Sequence, residues 1–404
     1  MKALYVILMV GLLAGCSSAI DPIEAPQPLT VITPELKADH RWVRQLGKGS
    51  YSQYLQLIPL VDGERVYQAD KRGRVAAYEA FTGEPLWRVD LATVINSGPS
   101  GDGELLLFGG DAEVIALSKQ DGSTVWRAAV SSEVLSLPIQ QGDSVVVHTV
   151  DGSIIALDAG SGRPRWRHTE AVPTLSLRGS GKPVIVNGLV LCGTANGKVL
   201  ALNLADGAVR WQTTVAVPHG RSELERMVDV DADLAVADGI VYAASYQGKL
   251  AAMALAGGQL IWSREIASTT GITVDRALLY VTDTTGDVWA LSRRGGATMW
   301  KQDALHQRAL TAPVGQGNYL VVGDYDGFLH WLSKEDGQIV ARTRIKQWDE
   351  YFPVDDEFAA WTEWYPEDRA VLAPPAVQGL FVYGLDKRGV LDAFRVSPVT
   401  TASE

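Results

Sequence analysis

Ala156-Leu-Asp-Ala-Gly-Ser-Gly-Arg-Pro-Arg-Trp166 is one copy of a pattern that runs through the chain. Copies with the same spacing span residues 77–87, 116–126, 201–211, 252–262 and 290–300. In each, a Gly stands four residues before the Trp. A second Gly lies ten residues before the first at Gly73, Gly152, Gly197, Gly248, Gly286 and Gly327, with Ala112 in its place in one unit. The unit around Gly327 and Gly337 ends in Ala341 where Trp is expected. The tryptophans step by 39, 40, 45, 51 and 38 residues, a period that belongs to stacked or radially repeated architectures.

Each unit reads as four short strands. Asp151-Gly152, Asn196-Gly197 and Asp326-Gly327 are two-residue hairpin signals, because these pairs tolerate the backbone that a tight turn between twisted strands requires. Asp121-Gly122, Asp206-Gly207 and Asp336-Gly337 mark a second hairpin in the same units or their neighbours. Between such turns lie alternating runs such as residues 198–203, and before them apolar runs such as 144–148 and 320–323. An innermost strand is expected ahead of those, as in residues 135–139. Four antiparallel strands in about 40 residues make a propeller blade. Seven units end at Trp87, Trp126, Trp166, Trp211, Trp262, Trp300 and Ala341. An eighth starts near Ala373, turns at Gly389 and stops near Val396 without an outer strand. Residues 40–46 match that missing strand, with Trp42 in the repeat position. The expected fold is therefore all-β: an eight-bladed propeller of four-stranded antiparallel blades, its ring closed by the N-terminal strand, which removes an open edge. The repeated tryptophans are read as packing between blades.

Composition agrees with this. The 404 residues are 47% hydrophobic, with 40 Gly and 12 Trp. The net charge of −11 gives no basic footprint for nucleic acid. Two cysteines exclude a disulfide scaffold and a four-cysteine zinc site. Lys2 followed by the apolar run 3–13 is too short to span a membrane and reads as a signal peptide over residues 1–15. Leu13-Ala14-Gly15-Cys16 resembles the bacterial lipobox, which implies cleavage before Cys16 and acylation of its thiol. Residues 16–38, with Pro22, Pro26, Pro28 and Pro34, read as a flexible tether, 39–397 as one propeller domain and 398–404 as a disordered tail. Cys192 is expected to be a free thiol buried in a strand.

The pattern A-x-D-x-x-x-G-x-x-x-W resembles the tryptophan-docking repeat of quinoprotein-like propellers; no unit carries the Trp-Asp of WD40 repeats. Lipobox, short tether, blade count and loop motifs together resemble the BamB family of outer membrane protein assembly factors, over essentially the whole chain. That resemblance implies a scaffold without catalytic residues or cofactor. It implies anchorage in the outer membrane facing the periplasm, and Ser17 and Ser18 after the Cys, with no Asp, agree with outer-membrane sorting. It implies as partners the POTRA domains of BamA, other subunits of the β-barrel assembly (BAM) complex, and unfolded outer membrane β-barrel clients. Two rival readings are a quinoprotein-type dehydrogenase, whose usual vicinal cysteine pair is missing here, and a generic periplasmic ligand-binding propeller.

Chemistry-bearing motifs are scarce. None of His40, His148, His168, His219, His306 and His330 pair at metal-binding spacing, and no Gly-x-Ser-x-Gly elbow occurs. Gly47-Lys-Gly-Ser50 resembles only the tail of a phosphate-binding loop. Asp229-Val-Asp-Ala-Asp233 resembles the start of a calcium loop but has Leu234 and Ile240 where Gly and Glu are needed. What remains is loop length. The stretches Trp126–Gly152 and Trp262–Gly286 are 26 and 24 residues, whereas Trp166–Gly197, Trp211–Gly248 and Ala341–Gly389 are 31, 37 and 48. These insertions join one blade's outer strand to the next blade's inner strand, so all three emerge on one face, the first two side by side. The first carries Leu175, Leu177 and Arg178; alternate leucines share a side of an extended chain, as interface anchors or folded under the loop. The second carries Asp229 and Asp231, again two apart. The resemblance assigns all five to contact with the BamA POTRA domains. The third, residues 346–370, holds seven aromatic and eight acidic residues and reads either as a plug or as a second adhesive surface.

Overall fold

The computed structural model describes residues 24–51, 53–179, 181–346 and 369–399. The described residues form eight sheets, antiparallel except for one two-residue strand, and no α-helix. Seven blades are built from consecutive strands. Blade 3, for example, comprises Ile139–Gln141, Ser144–His148, Ser153–Asp158 and Pro164–Thr169. Blade 1 starts at Leu60–Asp62 and blade 7 ends at Ile339–Arg344. Blade 8 takes Ala376–Gln378, Phe381–Leu385 and Val390–Pro398 from the C-terminus and Leu36–Gln45 from the N-terminus. The N-terminal strand pairs from Leu36↔Pro398 to Gln45↔Val390, and the inner strands of blades 1 and 8 meet, which closes the ring. A two-residue strand, Gln56–Leu57, adds in parallel to the inner edge of blade 2.

The repeat residues have one geometric job. In each Trp-bearing blade the repeat Ala lies opposite the Trp, as in Ala156↔Trp166 and Ala252↔Trp262, and blade 8 reproduces this across its two termini as Ala393↔Trp42. The small residue leaves room for the indole, which leans into the next blade. There its Nε1 donates to a backbone carbonyl: Trp42 to Ala80 at 2.8 Å, Trp126 to Ala159 at 2.7 Å, Trp211 to Leu255 at 2.9 Å. Its ring covers the turn glycine of that same hairpin, so that a Cβ on Gly83, Gly162 or Gly258 would lie within 2.6 Å of indole carbon. Tyrosines on the second strands reinforce the same carbonyls: Tyr383 donates to Ala80 at 3.1 Å beside Trp42.

Ala341 departs from the pattern for a structural reason. Blade 8 has no hairpin between its third and outer strands, because the outer strand comes from the other end of the chain. An indole at 341 would find no hairpin carbonyl. The pair is instead inverted, Trp331 on the third strand facing Ala341 on the fourth. Trp331 is fully buried, and its Nε1 donates to Gln316 Oε1 at 2.8 Å. Gln316 Nε2 in turn donates to the Gly379 carbonyl of blade 8 at 3.1 Å, so a glutamine relays the contact between these blades.

Two boundaries differ from expectation. The ordered chain begins before residue 39: residues 24–35 run along blades 6 and 7, and the first strand starts at Leu36. Polar contacts hold the segment, with Gln27 N donating to the His306 carbonyl, Arg308 and Arg342 donating to the carbonyls of Gln27 and Thr30, and Glu35 N donating to Val340. Leu29 packs against the core between blades 6 and 7. The inner strand of blade 3 is Ile139–Gln141; Leu135 and Leu137 ahead of it are buried in a loop. Cys192 is a free, buried thiol in Leu189–Gly193, and burial pushes its pKa up. The signal peptide, Cys16, residues 347–368 and the tail from residue 400 lie outside the described residues.

Candidate functional site

Four-stranded blades alternate their turns between two faces. The turns between second and third strands share a face with the inter-blade connections, as the contact of Gly73 with the Thr93 carbonyl shows. On this face the connection from blade 3 to blade 4, residues 170–183, lies beside the connection from blade 4 to blade 5, residues 215–234. They form the site.

Residues 171–175 of the first connection are exposed. Leu175 is 42% exposed, and Leu177 is half-buried. Arg178 is exposed and reaches back to blade 2's outgoing loop, where Glu133 takes its guanidinium at 3.0 Å. The second connection divides. Its first half is solvated and includes exposed Val217 and Leu224, two apolar residues that no spacing rule had singled out. Its second half is core: Met227, Val228, Val230 and Ala232 are buried.

The aspartates lie in that buried half. Asp229 is only 1% exposed, and its Oδ1 accepts the backbone N–H of Leu177 at 3.0 Å. Its Oδ2 is buried without a hydrogen-bond partner among the described residues. Burial pushes the Asp229 carboxyl above the usual range, and burial plus the neighbouring Asp229 charge pushes Asp231 up to about 7. Asp233 Oδ1 accepts the Lys182 N–H at 2.9 Å, and its Oδ2 pairs with the Lys182 ammonium at 3.1 Å. The structure thus brings Leu175, Leu177, Arg178, Asp229 and Asp231 into one place. Yet Leu175 and Arg178 are exposed and Leu177 is half-buried, while Asp229 is buried against the Leu177 amide. The calcium-loop resemblance finds no geometric support: Asp229 gives Oδ1 to a backbone amide, and Asp233 gives both oxygens to Lys182. Among the described residues no three His, Cys, Asp or Glu side chains stand together as metal ligands.

Comparison with known proteins agrees with this architecture. The family model for "Outer membrane protein assembly factor BamB" matches residues 71–302. The chain is 42% identical over 344 residues to the protein of that name from Alkalilimnicola ehrlichii, covering 85% of this chain and 89% of that one. It is 34% identical over 353 residues to the one from Yersinia pestis, covering 84% and 90%. The crystal structure of BamB from Moraxella catarrhalis superposes with a TM-score of 0.76 at 29% identity, over 89% of this chain and all of that one. The chain belongs to the outer membrane protein assembly factor BamB family.

Proposed function

We propose that this chain is a non-enzymatic scaffold lipoprotein of the BAM complex. Acyl chains on Cys16 hold it to the outer membrane on the periplasmic side, and the paired insertions dock it on the POTRA domains of BamA. In that setting it assists assembly and insertion of β-barrel proteins. The observation that carries this reading is Leu175, which stands 42% exposed on a loop whose backbone is tied down just after it, at Leu177 and Lys182. A rigid ring presenting a tied loop binds with little ordering cost. Leu175 and Leu177 supply the apolar centre, Arg178 a cation at the rim, and Asp229 and Asp231 the second loop. Leucine burial at an interface contributes roughly 1.5–3 kcal/mol per side chain.

Chemistry on small molecules has little support. The chain holds two cysteines far apart in sequence, Cys16 and Cys192, and neither can form a vicinal pair. The test is extraction of membranes in mild detergent followed by capture of this protein through a C-terminal tag. BamA is expected in the eluate. A chain that elutes without BamA, and reduces a dye in the presence of a quinone cofactor, would overturn the scaffold reading in favour of an enzyme.

A further inference from the structure

The two insertions run in register. Leu177 meets Asp229 through an amide–carboxylate bond, and Lys182 meets Asp233 through another. Between them Gly179 lies over Asp231, where a Cβ would be 3.2 Å from Oδ2. Gly181 lies over the next peptide, where a Cβ would be 2.9 Å from the Ala232 carbonyl. Alternate aspartates of one loop thus meet the other loop's backbone at Leu177, Gly179 and Lys182, and the glycines permit the approach. The run Leu-Arg-Gly-Ser-Gly-Lys and the run Asp-Val-Asp-Ala-Asp are the two halves of one device. From below, buried His148 of blade 3 touches the Gly181 backbone.

We infer that Asp229 and Asp233 are positioning residues for docking: they fix the leucine loop through its backbone amides and do not themselves touch the partner. The inference rests on the docking reading of Leu175 and Leu177 and specifies how that site is built. Asp229 is almost fully buried, and one of its oxygens is committed inward. A carboxylate only 1% exposed cannot reach a partner's cation while the loop lies over it. Its removal frees the loop, and the partner must then order a mobile segment on binding. Asp231, less buried and without an amide to accept, lies under Gly179 as the middle of the run. Arg178 is fixed independently by Glu133, so loss of the aspartates loosens the leucines more than the arginine.

Four full-length variants test this: Asp229→Ala, Asp229→Asn, Asp233→Ala and Asp233→Asn. Backbone amide exchange over residues 174–183 is measured on the free proteins, and binding to an immobilised BamA POTRA fragment on the same preparations. Asn keeps the accepting oxygen and loses the charge. The Ala variants are expected to speed exchange at Leu177 or Lys182 about tenfold or more, the ratio that one hydrogen bond to a carboxylate sustains. Binding should weaken by a similar factor, and the Asn variants should retain most of both. Melting of each variant should show the ring still folded; Asp233, at the loop's other end, provides the second site should Asp229→Ala fail to fold. Asn variants that lose binding as fully as Ala, with loop exchange unchanged from the parent, would mean that the carboxylates contact the partner directly and would overturn the inference. A parent chain that shows no affinity for the POTRA fragment would instead refute the docking reading, while the exchange comparison would still decide whether these residues hold the loop.

Discussion

Replacing Gly162 with Ala should cost the protein far more than replacing Gly142, although both are turn glycines of blade 3 in the left-handed region, at φ +70° and +58°. The shared cost of a Cβ at such φ is about 1–2 kcal/mol. Only Gly162 carries a tryptophan: its added methyl would stand 2.6 Å from Trp126 Cε3, whereas a methyl at Gly142 meets nothing within 4 Å. Displacing the indole overpacks the blade interface, at about 1–3 kcal/mol. It also strains the 2.7 Å bond from Trp126 Nε1 to the Ala159 carbonyl. Leaving that buried donor unpaired costs about 1–3 kcal/mol more. Gly162→Ala should therefore lose about 3–8 kcal/mol against about 1–2 for Gly142→Ala. Urea unfolding followed by tryptophan fluorescence and far-ultraviolet circular dichroism reads the difference as a lower midpoint for Gly162→Ala. Equal midpoints would show that the turn glycines serve backbone conformation alone, and that indole docking does not hold the blades together.

Asp324→Ala should destabilise the ring by about 3–5 kcal/mol, because it strips a buried carboxylate from Arg308 at 2.7 Å and His330 at 3.0 Å; a urea midpoint within error of the parent would contradict this. Asp231, raised to about 7 from an ordinary 3.8, favours its neutral form in the fold. Its contribution is therefore fully present below about pH 4 and is lost as pH rises through 7. Asp231→Asn should raise the melting temperature relative to the parent at pH 8, and the gain should vanish by pH 4; a gain independent of pH would refute the assignment. Cys16→Ala should leave a folded chain that partitions with the periplasmic fraction in cells lacking BamA contact, and retention on membranes after a high-salt wash would refute the lipid anchor.

The blade count and the ring closure were legible because the repeat is a local signal. Gly, Ala and Trp each answer to a neighbour at fixed spacing, and the match of residues 40–46 to a missing outer strand follows from the same rule. The reason for Ala341 was not legible in the same way, since it depends on a hairpin that blade 8 lacks and on a Gln316 relay between blades. The prolines of the tether do not report that Arg308 and Arg342 donate to the carbonyls of Gln27 and Thr30. At the site, spacing paired Asp229 with Asp231 and Leu175 with Leu177. It could not tell which face was inward. That depends on Leu177 N–H lying opposite Asp229, a contact 52 residues apart in sequence. The glycines of the leucine loop were the available clue, because a backbone that must lie against another chain segment favours residues without a Cβ.

If exposed Leu175, with half-buried Leu177 beside it, makes the contact with BamA, Leu175→Ala reveals it most directly. Melting and POTRA binding are measured on one preparation of the full-length variant. Leu175, 42% exposed, contributes little to the folded core, so the melting temperature should match the parent within about 1–2 °C while binding weakens at least about tenfold. A lowered melting temperature with unchanged binding per folded molecule would contradict the claim and return Leu175 to a packing role.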